Sequence, residues 1–190
     1  MGPTEKAVAV HVREILGELG EDTEREGLVE TPLRVAKAWT ELTDGYAKDP
    51  KRILDKTFEA NEYDGLIVVS KIPFQSTCEH HLLPFYGEAS IGYLPGENGR
   101  VVGLSKLPRL LNCFAHRLQL QERLTSQVAN AIDRYLQPAG VGVVIKARHL
   151  CMELRGVKVP GSVTTTSCML GALRRDEKAR NEFFELAKVR

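Results

Sequence analysis

Two short stretches carry most of the metal-capable side chains of this 190-residue chain, and they lie far apart in the sequence. Residues 76–81 read Ser-Thr-Cys-Glu-His-His, and residues 149–151 read His-Leu-Cys. Together they hold two of the four cysteines and three of the five histidines. If both stretches bind one ion, the fold must bring them together. That requirement constrains the fold more than any other feature of the sequence.

The second stretch ends a segment that predicts a strand. Residues 141–152 are rich in β-branched side chains, which is typical of a long strand. Side chains two apart on a strand point to the same face, so His149 and Cys151 would share the face of Val143 and Ile145. An apolar face whose last two positions can bind metal favours a site at that end.

Three of these side chains make a plausible zinc ligand set. Cys78 and His81 are three apart and can converge on one ion from a turn, and Cys151 would join them. Two thiolates and an imidazole favour zinc, and three protein ligands plus water is the catalytic pattern. Such a zinc lowers the pKa of its water to about 7, and a His/Cys/Cys zinc attacks nucleobase ring carbons in the deaminases. His80 and His149 would then be uncoordinated proton carriers.

The residues alone leave other interpretations open. A structural zinc would take His80 or His149 as a fourth ligand. A single Cys-x-x-His pair is a weak signal, Cys151 alone is an ordinary buried thiol, and His149 alone is an ordinary histidine at a strand end. Cys113, on a predicted helix, and Cys168, in a Ser/Thr-rich strand, are interpreted as packing residues.

Hydrophobic periodicity divides the chain into a helical arm, residues 1–50, and a domain, residues 51–190. In the arm, residues 4–19 have helical spacing, and Thr31-Pro32 predicts an N-cap followed by proline at the first position of a second helix. Residues 48–64 are predicted to be an irregular connection. Strands are predicted at 66–69, 88–94, 100–103, 141–152 and 162–169, and helices at 106–116, from about 119 to 136, and after Asp176. The 100–103 strand is predicted to pair with 88–94, and the whole pattern indicates an α+β fold with an antiparallel sheet.

Composition limits the partners and the compartment. With 26 basic and 25 acidic side chains the net charge is +1, which excludes a bulk field that recruits nucleic acid or membrane. No apolar run reaches the length of a membrane span, and the N-terminus lacks a secretory apolar segment. The scattered cysteines do not suit a disulfide framework. We therefore expect a cytoplasmic protein with no nucleic-acid or membrane partner.

A local cluster of basic residues predicts an anion site. Ser105 precedes a predicted helix, and Lys106 and Arg109 lie on one side of its first turn, where free N–H groups and the helix dipole favour phosphate. Arg155 could add a bidentate phosphate contact. Taken alone, these residues are better explained as a solvated helix end.

Gln121 and Glu122 open the longest predicted helix of the domain. The Glu122 carboxylate could accept hydrogen bonds from N1–H and the 2-amino group of guanine together, a pairing that adenine does not offer. A carboxylate in the first turn is also a good match to the helix dipole, which is the default interpretation.

Four motifs in this order resemble GTP cyclohydrolase I. They are Ser76-Thr-Cys-Glu-His-His81, Gly103-Leu-Ser-Lys106, Gln119-Leu-Gln-Glu-Arg-Leu-Thr125, and His149-Leu-Cys-Met152 with Arg155-Gly156. The likeness runs from about residue 31 to residue 184. It implies the tunnelling fold, in which an antiparallel sheet carries two helices on one side and several copies close into a barrel. It also implies a homodecamer of two pentamers with active sites at subunit interfaces.

The resemblance further implies a reaction and roles for single residues. The family converts GTP and water to 7,8-dihydroneopterin triphosphate and formate, the first step of tetrahydrofolate and pterin biosynthesis. Cys78, His81 and Cys151 would hold Zn²⁺, and His80 and His149 would be the acid/base pair. The residues implied to bind substrate are Ser105, Lys106, Arg109, Arg155 and a neighbouring subunit's Arg34 at the triphosphate, and Gln121 and Glu122 at the guanine.

Three rival functions remain at this point. One is another tunnelling-fold enzyme, such as the nitrile reductase of queuosine synthesis, which uses a nucleophilic cysteine without zinc. A second is a related cyclohydrolase with a different metal or product. A third is a non-catalytic assembly protein that zinc stabilises. Measuring bound metal separates the first from the others, and product formation from GTP separates the last.

Overall fold

The computed structural model describes residues 2–60 and 63–188, and the chain forms two compact units, Met1–Asp44 and Gly45–Arg190. The first unit contains α1, Pro3–Glu18, and α2, Thr31–Leu42, which pack on each other. The first helix was predicted correctly. The N-cap of the second is Glu30 rather than Thr31, so that Pro32 lies in the first turn one position later than predicted.

The second unit is built on a five-stranded sheet. Its strands are β2, Ile67–Cys78; β3, Pro84–Leu94; β5, Leu118–Gln119; β6, Gly140–His149; and β7, Thr164–Gly171. They lie in the order β5-β2-β3-β6-β7. All pairings are antiparallel except that of β2 with the short β5. The predicted α+β class is therefore confirmed, with one parallel pairing at the edge of the sheet.

Helices cover the sheet unequally. On one face, α4, Lys106–Ala115, and α5, Gln121–Leu136, pack against the alternate side chains of the strands and form the main core. On the other face, α7, Ala172–Arg175, and α8, Glu177–Leu186, cover a smaller apolar cluster that includes Leu173 and Phe183. The two helices predicted for one side are α4 and α5. The Asp176 side chain caps α8, as predicted, by accepting from the Lys178 N–H at 2.8 Å.

The segment predicted to be irregular, residues 48–64, holds regular structure in its described part. A 3-10 helix, Asp44–Ala47, precedes it, and α3, Pro50–Leu54, and β1, Thr57–Glu59, lie within it. Asp49 caps α3 by accepting from the Lys51 N–H at 2.9 Å, and Pro50 takes the first turn, where its missing N–H costs nothing. The prediction missed a cap because charged residues dominate the local pattern.

The predicted pairing of residues 100–103 with residues 88–94 is wrong. Those residues form β4, Arg100–Val102, which pairs with β1 in a separate two-stranded sheet. Both edges of β3 are already occupied, by β2 and by β6. β4 therefore follows β3 in the sequence but does not pair with it.

Two element boundaries at the site also differ from the prediction. The strand predicted over residues 141–152 ends at His149, and α6, Leu150–Glu153, follows it at once. The helix predicted from about Gln119 begins at Gln121, because Leu118 and Gln119 pair with the end of β2. In the described part of the chain no helix is both long and apolar enough to cross a membrane.

Candidate metal centre

The first two candidate ligands lie on a tight turn after β2. The Cys78 N–H donates to the Leu83 carbonyl and the Leu82 N–H donates to the Cys78 carbonyl, each at 2.9 Å. Leu82 takes a left-handed conformation with φ of 54°, which lets the chain reverse within a few residues. The turn brings the Cys78 Sγ and the His81 Nδ1 to 3.6 Å.

Cys151 reaches the same place by a different route from the one predicted. It lies on α6 and not on a continuous strand with His149, so the argument that the two share a strand face is wrong. The ladder register explains why the stretches meet: Thr77 pairs with Pro84 and Phe85 pairs with His149, which aligns the end of β2 with the end of β6. The first turn of α6 then redirects the chain.

Cys78, His81 and Cys151 form one group, with their ligand atoms all within 4.8 Å of one another. Tetrahedral zinc with bonds of about 2.3 Å to sulfur and about 2.0 Å to nitrogen separates those two atoms by about 3.5 Å. The separation of the Cys78 Sγ and the His81 Nδ1 is 3.6 Å. The donor set and this spacing therefore fit Zn²⁺. Both thiols are buried, and burial together with the neighbouring Cys78 raises the pKa of Cys151.

The two remaining histidines of these stretches, His80 and His149, lie outside this group of three. His80 is exposed, and its ring lies 6.1 Å from that of His81, centroid to centroid. His149 is half-buried at the end of β6, with its ring stacked on Phe85 at 4.7 Å and 4°. Burial lowers the pKa of His149, and the negative charge of Glu122 partly opposes that shift.

Gln121, predicted from the resemblance to meet guanine, is 1% exposed. Its side-chain oxygen lies 2.8 Å from the His149 Nε2, and its side-chain nitrogen, which has two hydrogens to donate, lies within 3.1 Å of three acceptors on β6 and β7. Its neighbour Glu122 is exposed. The two adjacent residues therefore lie in different environments, because successive positions on a helix point about 100° apart.

A contact that the sequence reasoning missed ties the ligand turn to α5. Arg123 forms an ion pair with Glu79, donates from Nε to the Gln119 Oε1 at 3.0 Å, and donates to the Leu118 carbonyl at 3.0 Å. The Glu79 N–H also donates to the Gln119 carbonyl at 3.0 Å. The hydrogen bond from Arg123 lowers the pKa of the Glu79 carboxyl. The only signal in the sequence was the opposite charge of the two side chains, which does not specify a partner.

A second such contact braces α6. Arg148, at the end of β6, forms a bidentate pair with Glu153 at 2.8 and 2.6 Å. This is the geometry in which arginine and carboxylate bind best, and the Arg148 hydrogen bonds lower the pKa of Glu153. Cys151 lies between Arg148 and Glu153 in the sequence. The ion pair therefore holds the turn that carries the third candidate ligand.

The predicted anion-binding residues are spread over several elements. Arg155 is exposed and its Nη1 lies 3.2 Å from the His81 Nε2, so it contacts the metal group. Ser105 occupies the N-cap position of α4 without a side-chain capping bond, and Lys106 and Arg109 lie in the first turns. Arg34 lies on α2 in the first unit, paired with Glu30.

Comparison with known proteins gives a consistent result. The family model described as GTP cyclohydrolase I matches residues 8–188. The GTP cyclohydrolase 1 of Janthinobacterium sp. (strain Marseille) is 56% identical over 93% of this chain and 88% of its own length. That of Nitrosospira multiformis is 56% identical over 92% and 91%, and that of Thermobifida fusca is 53% identical over 92% and 84%. The solved structure of an archaeosine synthase QueF-Like aligns with 58% of this chain at a TM-score of 0.44 and 18% identity, which is too weak a likeness to bear on fold or function.

Proposed function

The chain belongs to the GTP cyclohydrolase I family, and we propose that it hydrolyses GTP at C8 of the guanine in a zinc-dependent reaction. The products would be 7,8-dihydroneopterin triphosphate and formate, so the enzyme would serve tetrahydrofolate and pterin biosynthesis. The observation that carries the proposal is the group of Cys78, His81 and Cys151, whose ligand atoms lie within 4.8 Å of one another. Three ligands leave a tetrahedral ion one place for water.

The zinc, held by those three residues, would lower the pKa of a water molecule to about 7 and so supply the nucleophile for C8. His149 would take up the proton that the attacking water loses and would pass it to guanine N7 as the imidazole ring opens. Its stacking on Phe85 supports this role, since the contact holds the ring in one orientation. His80, exposed on the ligand turn, would move protons when the ribose opens and the new ring closes.

Substrate binding follows from charge and exposure. The start of α4 would hold the triphosphate, since a helix N-terminus favours anions. Arg155 would bind the same group, and its contact with His81 supports a position between metal and phosphate. Glu122 would recognise guanine. Its carboxylate is exposed and its negative charge acts on His149, which supports a position close to the reacting base. The residues proposed for the triphosphate are Ser105, Lys106, Arg109, Arg155 and a neighbouring subunit's Arg34.

We also propose the tunnelling fold for residues 51–190, a homodecamer of two pentamers with active sites at subunit interfaces, and a cytoplasmic location. A loop after α6 supports association, because it exposes several apolar side chains. They are Leu154, Val157, Val159 and Val163. Native mass measurement gives the number of chains, and a monomer at micromolar concentration would contradict the assembly.

The reaction is tested directly with metal-loaded protein. The protein is incubated with GTP, the mixture is oxidised, and fluorescent neopterin and released formate are both quantified. We expect the two products in equal amounts. A His149→Ala variant loaded with the same metal is the matched control and should give little of either. Metal-loaded wild-type protein that yields neither product would refute the proposed activity.

A further inference from the structure

The side-chain amide of Gln121 is bound in one orientation. Its Nε2 lies 3.1 Å from the Ile145 carbonyl oxygen, 3.0 Å from the Thr164 carbonyl oxygen and 3.0 Å from the Thr166 Oγ1. Backbone carbonyls only accept hydrogen bonds, so the end of the amide that faces them must be the NH₂ group. The carbonyl end of the same amide therefore faces His149.

Two threonines reinforce that orientation. The Thr125 Oγ1 donates to the Gln121 backbone carbonyl at 2.7 Å and also lies 2.7 Å from the Thr166 Oγ1. Because the Thr125 hydrogen is used on the carbonyl, Thr166 must donate to Thr125, which leaves the Thr166 oxygen to accept from Gln121. Each hydroxyl then donates once and accepts once. Reversing the amide would break this cycle of hydrogen bonds. It would also place the Gln121 Oε1 against the carbonyl oxygens of Ile145 and Thr164.

The orientation of the Gln121 amide determines which nitrogen of His149 carries a hydrogen. The Gln121 Oε1 can only accept, and it lies 2.8 Å from the His149 Nε2, so that nitrogen must carry a hydrogen. A neutral imidazole has one N–H and one bare nitrogen. The bare nitrogen is therefore Nδ1. Stacking on Phe85 at 4.7 Å and 4° holds the plane of the ring, so the direction of Nδ1 is also fixed.

We propose that Gln121 is a positioning residue that acts through His149: it holds the hydrogen on Nε2 and so leaves Nδ1 as the ring nitrogen available to the reacting guanine. This inference rests on the proposed function for the identity of the substrate, but the hydrogen placement itself does not. It assigns Gln121 a role other than the guanine contact that the family resemblance implied. The side chain is 1% exposed and both ends of its amide are bound inside the chain, which supports a role that is exerted on His149.

The kinetic test separates positioning from binding. Gln121→Met keeps the approximate shape and removes the acceptor that faces His149. We expect kcat to fall by about 10- to 100-fold, a part of the about 10²- to 10⁴-fold that general acid–base catalysis supplies, with KM changed by less than about threefold. Thr166→Val is the matched control: it removes one support of the amide and leaves the Gln121 oxygen on His149, so kcat should stay within about threefold of wild type. A raised KM with unchanged kcat in Gln121→Met would overturn the proposal.

A spectroscopic test needs no turnover and remains valid if Gln121→Met fails to fold. Histidine nitrogens of metal-loaded, substrate-free wild-type protein are recorded by ¹⁵N NMR, at a pH where the imidazole is neutral, and the His149 signals are assigned by their loss in His149→Ala. We expect hydrogen on Nε2 and a bare Nδ1. Hydrogen on Nδ1 would refute the inference. If wild type shows the expected signals but no product forms from GTP, the proposed function fails and the hydrogen placement stands.

Discussion

Replacing Cys151 with serine should remove the metal and leave the fold. The substitution exchanges a thiolate for a hydroxyl that is a much poorer zinc ligand, and it changes one atom in a site that is 8% exposed. Four-ligand structural zinc sites bind with about 10–16 kcal/mol, or about 2.5–4 kcal/mol per ligand. Losing one of three ligands should therefore weaken zinc binding by about 10²- to 10³-fold.

The assay is competition for Zn²⁺ against a chelator of known affinity, with the bound metal then counted by atomic absorption. Turnover of GTP should be lost in parallel, while the number of chains in the assembly should not change. Cys168→Ser is the matched control, because Cys168 is half-buried and lies outside the ligand group. It should keep full metal occupancy and activity.

If Cys151→Ser holds zinc at the wild-type affinity, the sulfur is not a ligand and the group of three has been assigned wrongly. If Cys168→Ser loses the metal as well, the ligand set is larger than the three side chains that converge here. Loss of zinc together with loss of the fold would show that the ion is structural.

Three other substitutions test the surroundings of the site. His149→Ala should retain zinc at full occupancy and lose turnover, since the ring lies outside the group of three; release of the metal would mean that it is a ligand. Arg123→Met should weaken zinc binding by about 10- to 100-fold in the same chelator competition, because groups that orient ligands contribute on that scale and Arg123 holds the ligand turn through Glu79; unchanged affinity would show that the turn is rigid without it. Gly87→Ala should lower the thermal unfolding temperature or prevent folding, because its Cβ would lie 1.9 Å from the Lys146 carbonyl oxygen; a wild-type melting curve would mean that β3 and β6 can separate there.

Local patterns predicted the longer helices well but missed the short helices α3, α6 and α7. The apolar spacing of α5 and of α1, and the cap at Asp176, are set by residues within one or two turns of each other. The same reasoning failed for β4, whose partner was decided by which strand edges were free. It failed again at Cys151, because a strand and a helical turn place position 151 differently and only the packing around Arg148 and Glu153 selects the turn.

The composition of the candidate site was available from the sequence, but the structure decided its geometry. Residue chemistry nominated Cys78, His81 and Cys151, but it left His80 or His149 open as a fourth ligand. Their meeting depends on the β2–β3–β6 ladder, in which each pairing closes a loop and fixes a register that no local pattern encodes. Which nitrogen of His149 lacks a hydrogen depends on the buried amide of Gln121. That dependence could not be read from the sequence, because the hydrogen placement involves partners from three separate elements. Side-chain chemistry is a property of each residue, whereas the direction in which it acts is a property of the packed chain.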